Sequence, residues 1–166
     1  MMHLLRLALL LAAAWLPGSE AVITFTSSYD GSAQAASLFV PDPLPPGSRP
    51  LLAVAHYWGG DRGTAKALGY QEECQRRGWL LVCPDLHGER TSGKTSLASL
   101  GAQHDVLDAI RTVQAGNSVD PTRVYLAGQS MGGMLAEMVA AKHPDLFAAV
   151  VAGQGISDLH QWTLDA

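Results

Sequence analysis

Gly128-Gln129-Ser130-Met131-Gly132 is a G-x-S-x-G run. Its residue types and spacing suit nucleophilic acyl transfer for a geometric reason. A chain that leaves a strand and enters a helix within a few residues must reverse sharply. Small residues two before and two after the serine keep side chains from clashing at that reversal. The hydroxyl is then exposed at a strained turn. The helix N-terminus behind it favours the negative charge that develops on a bound substrate. The context is present in the sequence. Arg123–Ala127 (RVYLA) reads as a strand, and Met131–His143 as a helix stopped by Pro144. Ser130 is therefore the candidate nucleophile, with Gly128, Gln129 and Gly132 shaping its turn and Gly133 letting the helix lie close to the sheet. A plain helix-capping serine is the bland alternative.

Acyl transfer also needs two N–H donors aimed at the oxyanion. One is expected from the backbone of Met131, directly after the nucleophile. The other should come from the loop after an earlier strand, here His56-Tyr57-Trp58-Gly59-Gly60. Trp58 is the first candidate and Tyr57 the second; a bare turn at Gly59-Gly60 is the competing reading. His56 reads as a histidine bracing this loop rather than as a base. Met131, Met134, Leu135 and Met138 have helical spacing and read as core packing, not as a ligand site.

A rival motif is Gly88-Glu89-Arg90-Thr91-Ser92-Gly93-Lys94-Thr95, which formally matches the phosphate-binding G-x-x-x-x-G-K-[ST] pattern. Pro84-Asp85-Leu86-His87 separates it from the preceding strand, and no later apolar strand ends in an aspartate that could hold Mg²⁺. The loop reads better as a polar segment flanking a cleft. A catalytically inactive binding module that keeps the same fold is the remaining alternative. The 166 residues carry a formal net charge of −4, which argues against broad binding to a phosphate backbone, so no nucleic acid is expected. There is no C-x-x-C or His-rich cluster, so no metal and no cofactor is expected. Cys74 and Cys83 read as two buried thiols, with a disulfide between them as the alternative.

The elements that must position these residues follow a clear order. Val22–Thr26, a turn at residues 29–32 and Gln34–Val40 read as an antiparallel hairpin. Residues 41–50 hold five prolines and read as a stiff surface connection. Leu51–His56 and Trp79–Cys83 are continuous apolar runs, the pattern of strands buried on both faces. Thr64–Arg77 reads as one helix with Thr64 as N-cap and Gly78 ending it. Residues 101–115 carry Leu107, Ile110 and Val113 at helical spacing. Asp120-Pro121 reads as a turn, and Ala148–Ala152 as the last strand. Alternating strands and helices imply an α/β three-layer sandwich with a mostly parallel sheet, entered through the hairpin.

These residues resemble the α/β-hydrolase superfamily, and within it the prolyl-oligopeptidase-type catalytic domain and its esterase relatives. The carrying segments are residues 119–155, around the G-x-S-x-G run, and PLLAVAHYWGG at 50–60. The segment LFVPDPLPPGSRPLLAVAH also resembles secreted polyester depolymerases and feruloyl esterases. The resemblance covers nearly all of 34–158. It implies a serine hydrolase acting on a small-molecule ester or peptide, with Ser130 matching the nucleophile. Tyr57 stands where the glycine of the oxyanion loop normally follows the first histidine.

In that superfamily the chain order is nucleophile, acid, histidine. After Ser130 come Asp145, Asp158 and Asp165, with His143 and His160. His143 ends the helix that begins at the nucleophile and should point away from the site. Asp158 and His160 follow the last strand on the correct edge, but two residues apart, a poor spacing for an acid that must hold the histidine from the side. The resemblance therefore implies a partial hydrolase domain over 22–166 whose acid and base lie beyond Ala166, and an exposed apolar edge at the last strand. Before it, residues 1–21 read as a signal peptide, a basic start followed by LALLLAAAWL and cleavage after Ala21, with an uncleaved N-terminal anchor as the alternative. The protein is then secreted or periplasmic, without a membrane anchor after cleavage. Oligomeric state is left open.

Overall fold

The structure is a computed structural model and describes residues 18–88, 98–158 and 160. In chain order the strands are β1 (Glu20–Thr26), β2 (Ala33–Phe39), β3 (Arg49–Ala55), β4 (Leu80–Pro84), β5 (Val119–Gln129) and β6 (Ala149–Gly153). The helices are α1 (Thr64–Ala67), α2 (Tyr70–Arg77), α3 (Leu100–Gly116) and α4 (Met131–Lys142). The strands form one sheet in the order β1-β2-β4-β3-β5-β6. β1 and β2 pair antiparallel, and β2 joins β4 antiparallel. β4, β3, β5 and β6 are mutually parallel. The expected mixed α/β sheet with an N-terminal hairpin is what forms.

Strand periodicity divides the core in two. Leu51, Ala53, Leu80, Val82, Val124 and Leu126 face the layer of α3 and α4, with Val106, Ile110 and Leu135. Leu52, Val54, Leu81, Cys83 and Ala127 face the other layer, with Ala65 of α1 and Cys74 of α2. Apolar side chains thus cover both faces of β3, β4 and the second half of β5, which explains their unbroken apolar sequences. Cys74 and Cys83 are free thiols, and burial pushes each up to about 12, so both are inert as nucleophiles.

Several local expectations need correction. The helix over 64–77 is two helices, because Gly69 takes φ +80 between them. Gly63, not Thr64, is the first N-cap. The Thr64 hydroxyl instead accepts from the Asp61 N–H at 3.3 Å. Gly78 does end α2, at φ +68. The Asp120-Pro121 turn lies within β5: its register against β3 jumps from Val119 to Val124, and Asp120 accepts from the Thr122 N–H at 2.9 Å. Met131, Met134 and Leu135 are core, but Met138 is exposed. β1 begins at Glu20 and runs through the expected cleavage point, with Glu20 opposite Phe39 and Ala21 opposite Leu38. Among the described residues, no helix is long and apolar enough to cross a membrane. The Gly88–Thr95 motif, apart from Gly88, lies outside the described residues.

Candidate active site

β5 is an interior strand, and it delivers Ser130 to the carboxyl end of the parallel sheet. Ser130 has φ +56 and ψ −123, a backbone region that L-residues other than glycine rarely enter. Two hydrogen bonds hold it there. Its N–H donates to the Gly153 carbonyl at the end of β6 at 2.8 Å, and its carbonyl accepts from Met134 at 3.1 Å to start α4. Ser130 itself is exposed to solvent.

The glycines around it are required by space. A Cβ at Gly128 would fall on the Gly132 carbonyl, and one at Gly132 on the Ala55 carbonyl oxygen. At Gly133 it would meet the Gly153 oxygen at 2.7 Å. The start of α4 is therefore pressed against the ends of both β3 and β6. The chemically interesting consequence is that the turn at Ser130 touches the segment that follows β3.

That segment is ordered by its own hydrogen bonds. The Gly60 N–H donates to the Tyr57 carbonyl at 2.9 Å, closing a turn whose third position is Gly59 at φ +79, as a type II turn demands. His56 is 6% exposed. Its Nδ1 lies 2.8 Å from the same Tyr57 carbonyl, and its Nε2 accepts from the Leu86 N–H at 3.3 Å. Those partners assign the proton to Nδ1, which makes His56 a neutral brace, as expected, with Nε2 already occupied. The Tyr57 carbonyl and the Trp58 N–H belong to one peptide plane and point in opposite directions. Fixing the first therefore aims the second.

His56, Trp58, Gly59, Gly60, Asp85, Leu86, Gly88 and Met131 line a cavity of about 140 Å³. The structure thus brings the Met131 and Trp58 positions to one small volume beside the Ser130 turn. Trp58, which lines it, is 44% exposed, and its chain neighbour Tyr57, which does not, is 37% exposed. His143 caps the far end of α4, roughly 20 Å along the helix from Ser130 at 1.5 Å per residue. Asp158 and His160 follow β6 on the carboxyl side of the sheet, and both are exposed.

Two ion-pair systems beside this cavity were not singled out from sequence. Arg62 donates to Asp85 from its backbone N–H at 2.9 Å and from its guanidinium at 2.5 Å. His87 lies with Nδ1 2.8 Å from the buried Asp105 carboxylate and with Nε2 3.2 Å from Asp30. The signal available was modest: polar residues placed immediately after the apolar run of β4.

A mixed sheet in this strand order, parallel from β4 to β6, with a serine held at positive φ between an interior strand and a helix, defines an α/β-hydrolase. The fold agrees with the crystal structure of S-formylglutathione hydrolase from Staphylococcus aureus at a TM-score of 0.70, with 16% identity, over 89% of this chain and 61% of that one. Residues 74–166, more than half of the chain, match the prolyl oligopeptidase family, and the chain belongs to that family. It is 29% identical over 155 residues to an acetylxylan esterase of Coprinopsis cinerea, covering 82% of this chain and 40% of that protein. It is 24% identical over 162 residues to feruloyl esterase B of Talaromyces stipitatus, covering 92% of this chain and 45% of that protein. The chain thus spans less than half the length of these curated relatives.

Proposed function

We propose that the protein is a serine hydrolase of carboxylic esters, with Ser130 as nucleophile and the N–H groups of Met131 and Trp58 as the oxyanion donors. The observation that carries this reading is the positive-φ serine at the end of β5 beside a cavity bordered by both donor positions. The Ser130 Oγ would attack the ester carbonyl and lose its proton to a base, while the carbonyl electron pair moves onto oxygen. Collapse of that intermediate expels the alcohol, which takes up the proton. Water then repeats the sequence on the acyl-enzyme. Esters are favoured over peptides because the curated relatives named above are esterases.

A fluorophosphonate probe tests the assignment. Covalent labelling of the chain that is lost in Ser130→Ala is expected, and labelling that persists in Ser130→Ala overturns it. Labelling of His160→Ala shows whether His160, with Asp158 beside it in sequence, supplies the base. Secretion belongs to the same proposal: N-terminal sequencing of protein recovered outside the cytoplasm should begin at Val22, and a retained Met1 would count against the leader.

A further inference from the structure

We propose that Asp85 is a positioning residue for the oxyanion loop, fixing through Arg62 the far end of the segment that begins at His56 and carries Trp58. The inference rests on the reading of Trp58 as an oxyanion donor. The turn after β4 is unusually well anchored. Three successive N–H groups each reach a partner distant in sequence: Asp85 donates to the Ala35 carbonyl at 2.8 Å, Leu86 to His56 Nε2 at 3.3 Å, and His87 to an Asp105 carboxylate oxygen at 2.6 Å. β2, the start of the loop after β3, and α3 are thereby tied to one short stretch of backbone.

The loop after β3 leans on that stretch at both of its ends. At the first end, His56 receives the Leu86 N–H and holds the Tyr57 carbonyl. At the second, one carboxylate accepts from both the backbone and the guanidinium of Arg62, fixing main chain and side chain together. The Arg62 carbonyl is in turn held by the Ser37 hydroxyl at 2.7 Å. Between these anchors lies the turn closed by Gly60 and Tyr57. Without the Asp85 anchor, the far side of the loop would lose both bonds made by the Arg62 N–H and guanidinium and would keep the Ser37 hydroxyl on the Arg62 carbonyl. An oxyanion donor is worth its full contribution only when held in place before the charge develops.

The pairing also solves an electrostatic problem. Asp85 lines the same cavity as Trp58 and Met131. An unpaired carboxylate there would repel the developing oxyanion, and Arg62 neutralises it.

The test uses Asp85→Asn, Asp85→Glu and Arg62→Ala in the full chain, read by amide hydrogen exchange and by hydrolysis of p-nitrophenyl acetate. In Asp85→Asn and Arg62→Ala, exchange in peptides covering 56–63 should rise about tenfold, while β5 and α4 stay protected. The kcat should fall roughly tenfold with KM within about twofold, because the loss falls on the transition state. Asp85→Glu should recover part of both. Unchanged exchange over 56–63 overturns the proposal. Raised exchange with unchanged kcat overturns Trp58 as the donor that Asp85 positions. If the parent carries no fluorophosphonate label that depends on Ser130, the hydrolase reading has failed, and the exchange measurement still decides whether Asp85 holds the loop.

Discussion

The Cα of Gly132 sits against the Ala55 carbonyl oxygen so closely that no side chain fits between the start of α4 and the end of β3. This contact is what presses the Ser130 turn against the loop carrying Trp58. It also reverses an ordinary expectation. Alanine in place of glycine within a helix usually stabilises by about 0.5–1 kcal/mol. Here the added methyl meets backbone, which cannot rotate away, and overpacking costs about 1–3 kcal/mol or more. Gly132→Ala should therefore lower the unfolding midpoint in urea, and an unchanged midpoint would sink the idea.

Ser130 offers a second reversal. Its φ of +56 with ψ −123 costs a residue bearing a Cβ about 1–3 kcal/mol, whereas glycine adopts it freely. Ser130→Ala and Ser130→Gly both remove the hydroxyl, so they differ mainly in backbone strain. The glycine variant should be the more stable of the two by about 1 kcal/mol, after its own entropy cost in the unfolded chain. Equal thermal midpoints for the two variants would show that the turn is not strained in solution.

Much of this was legible from residue order, and the failures have physical causes. The apolar runs at 51–56 and 79–83 had to be buried on both faces, and they became β3 and β4. The G-x-S-x-G run is legible because its spacing is imposed by one backbone reversal, and the structure puts that reversal at Ser130. The break at Leu68-Gly69 is not legible, because a glycine within a helical pattern costs too little to demand a break. Met138 was assigned to the core by spacing alone, yet its position on α4 faces solvent. Asp85, Arg62, His87 and Asp105 were not legible as partners, because the pairs join segments that only the completed sheet brings together.

The cluster at His87 makes a prediction about pH. Burial pulls the His87 imidazole down, but the Asp105 carboxylate, and then Asp30, outweigh it, so its pKa stands above the ordinary 6.5. A folded-state pKa raised in this way gives stability that is fully present below 6.5 and is lost as pH rises through the folded value. The thermal midpoint should therefore decline as pH rises above 6.5. Asp105 is itself raised by burial, which outweighs the hydrogen bonds from His87, so it acts in the same sense at lower pH. Asp30 is lowered to about 2, chiefly by hydrogen bonds from Ser32, and its contribution is lost only as pH falls through that value. Asp105→Asn removes the main partner of His87 and should flatten the alkaline decline. A variant that keeps the slope would assign it to other groups.

The last strand carries the remaining prediction. Among the described residues β6 pairs only with β5, so its outer edge presents backbone donors and acceptors without a neighbouring strand. Its sequence AVVAG has no charge and no proline to blunt that edge. Val151 is 64% exposed on it. An apolar edge of this kind is a template for pairing with another chain. Produced by itself, the 166-residue chain should associate in a concentration-dependent way. Val151→Lys places a charge on the exposed face without touching the β5 ladder, whose hydrogen bonds are made by backbone. It should shift the size-exclusion profile toward monomer and raise the soluble fraction, with far-UV circular dichroism unchanged. If Val151→Lys associates as strongly as the parent, β6 is not the surface that drives association.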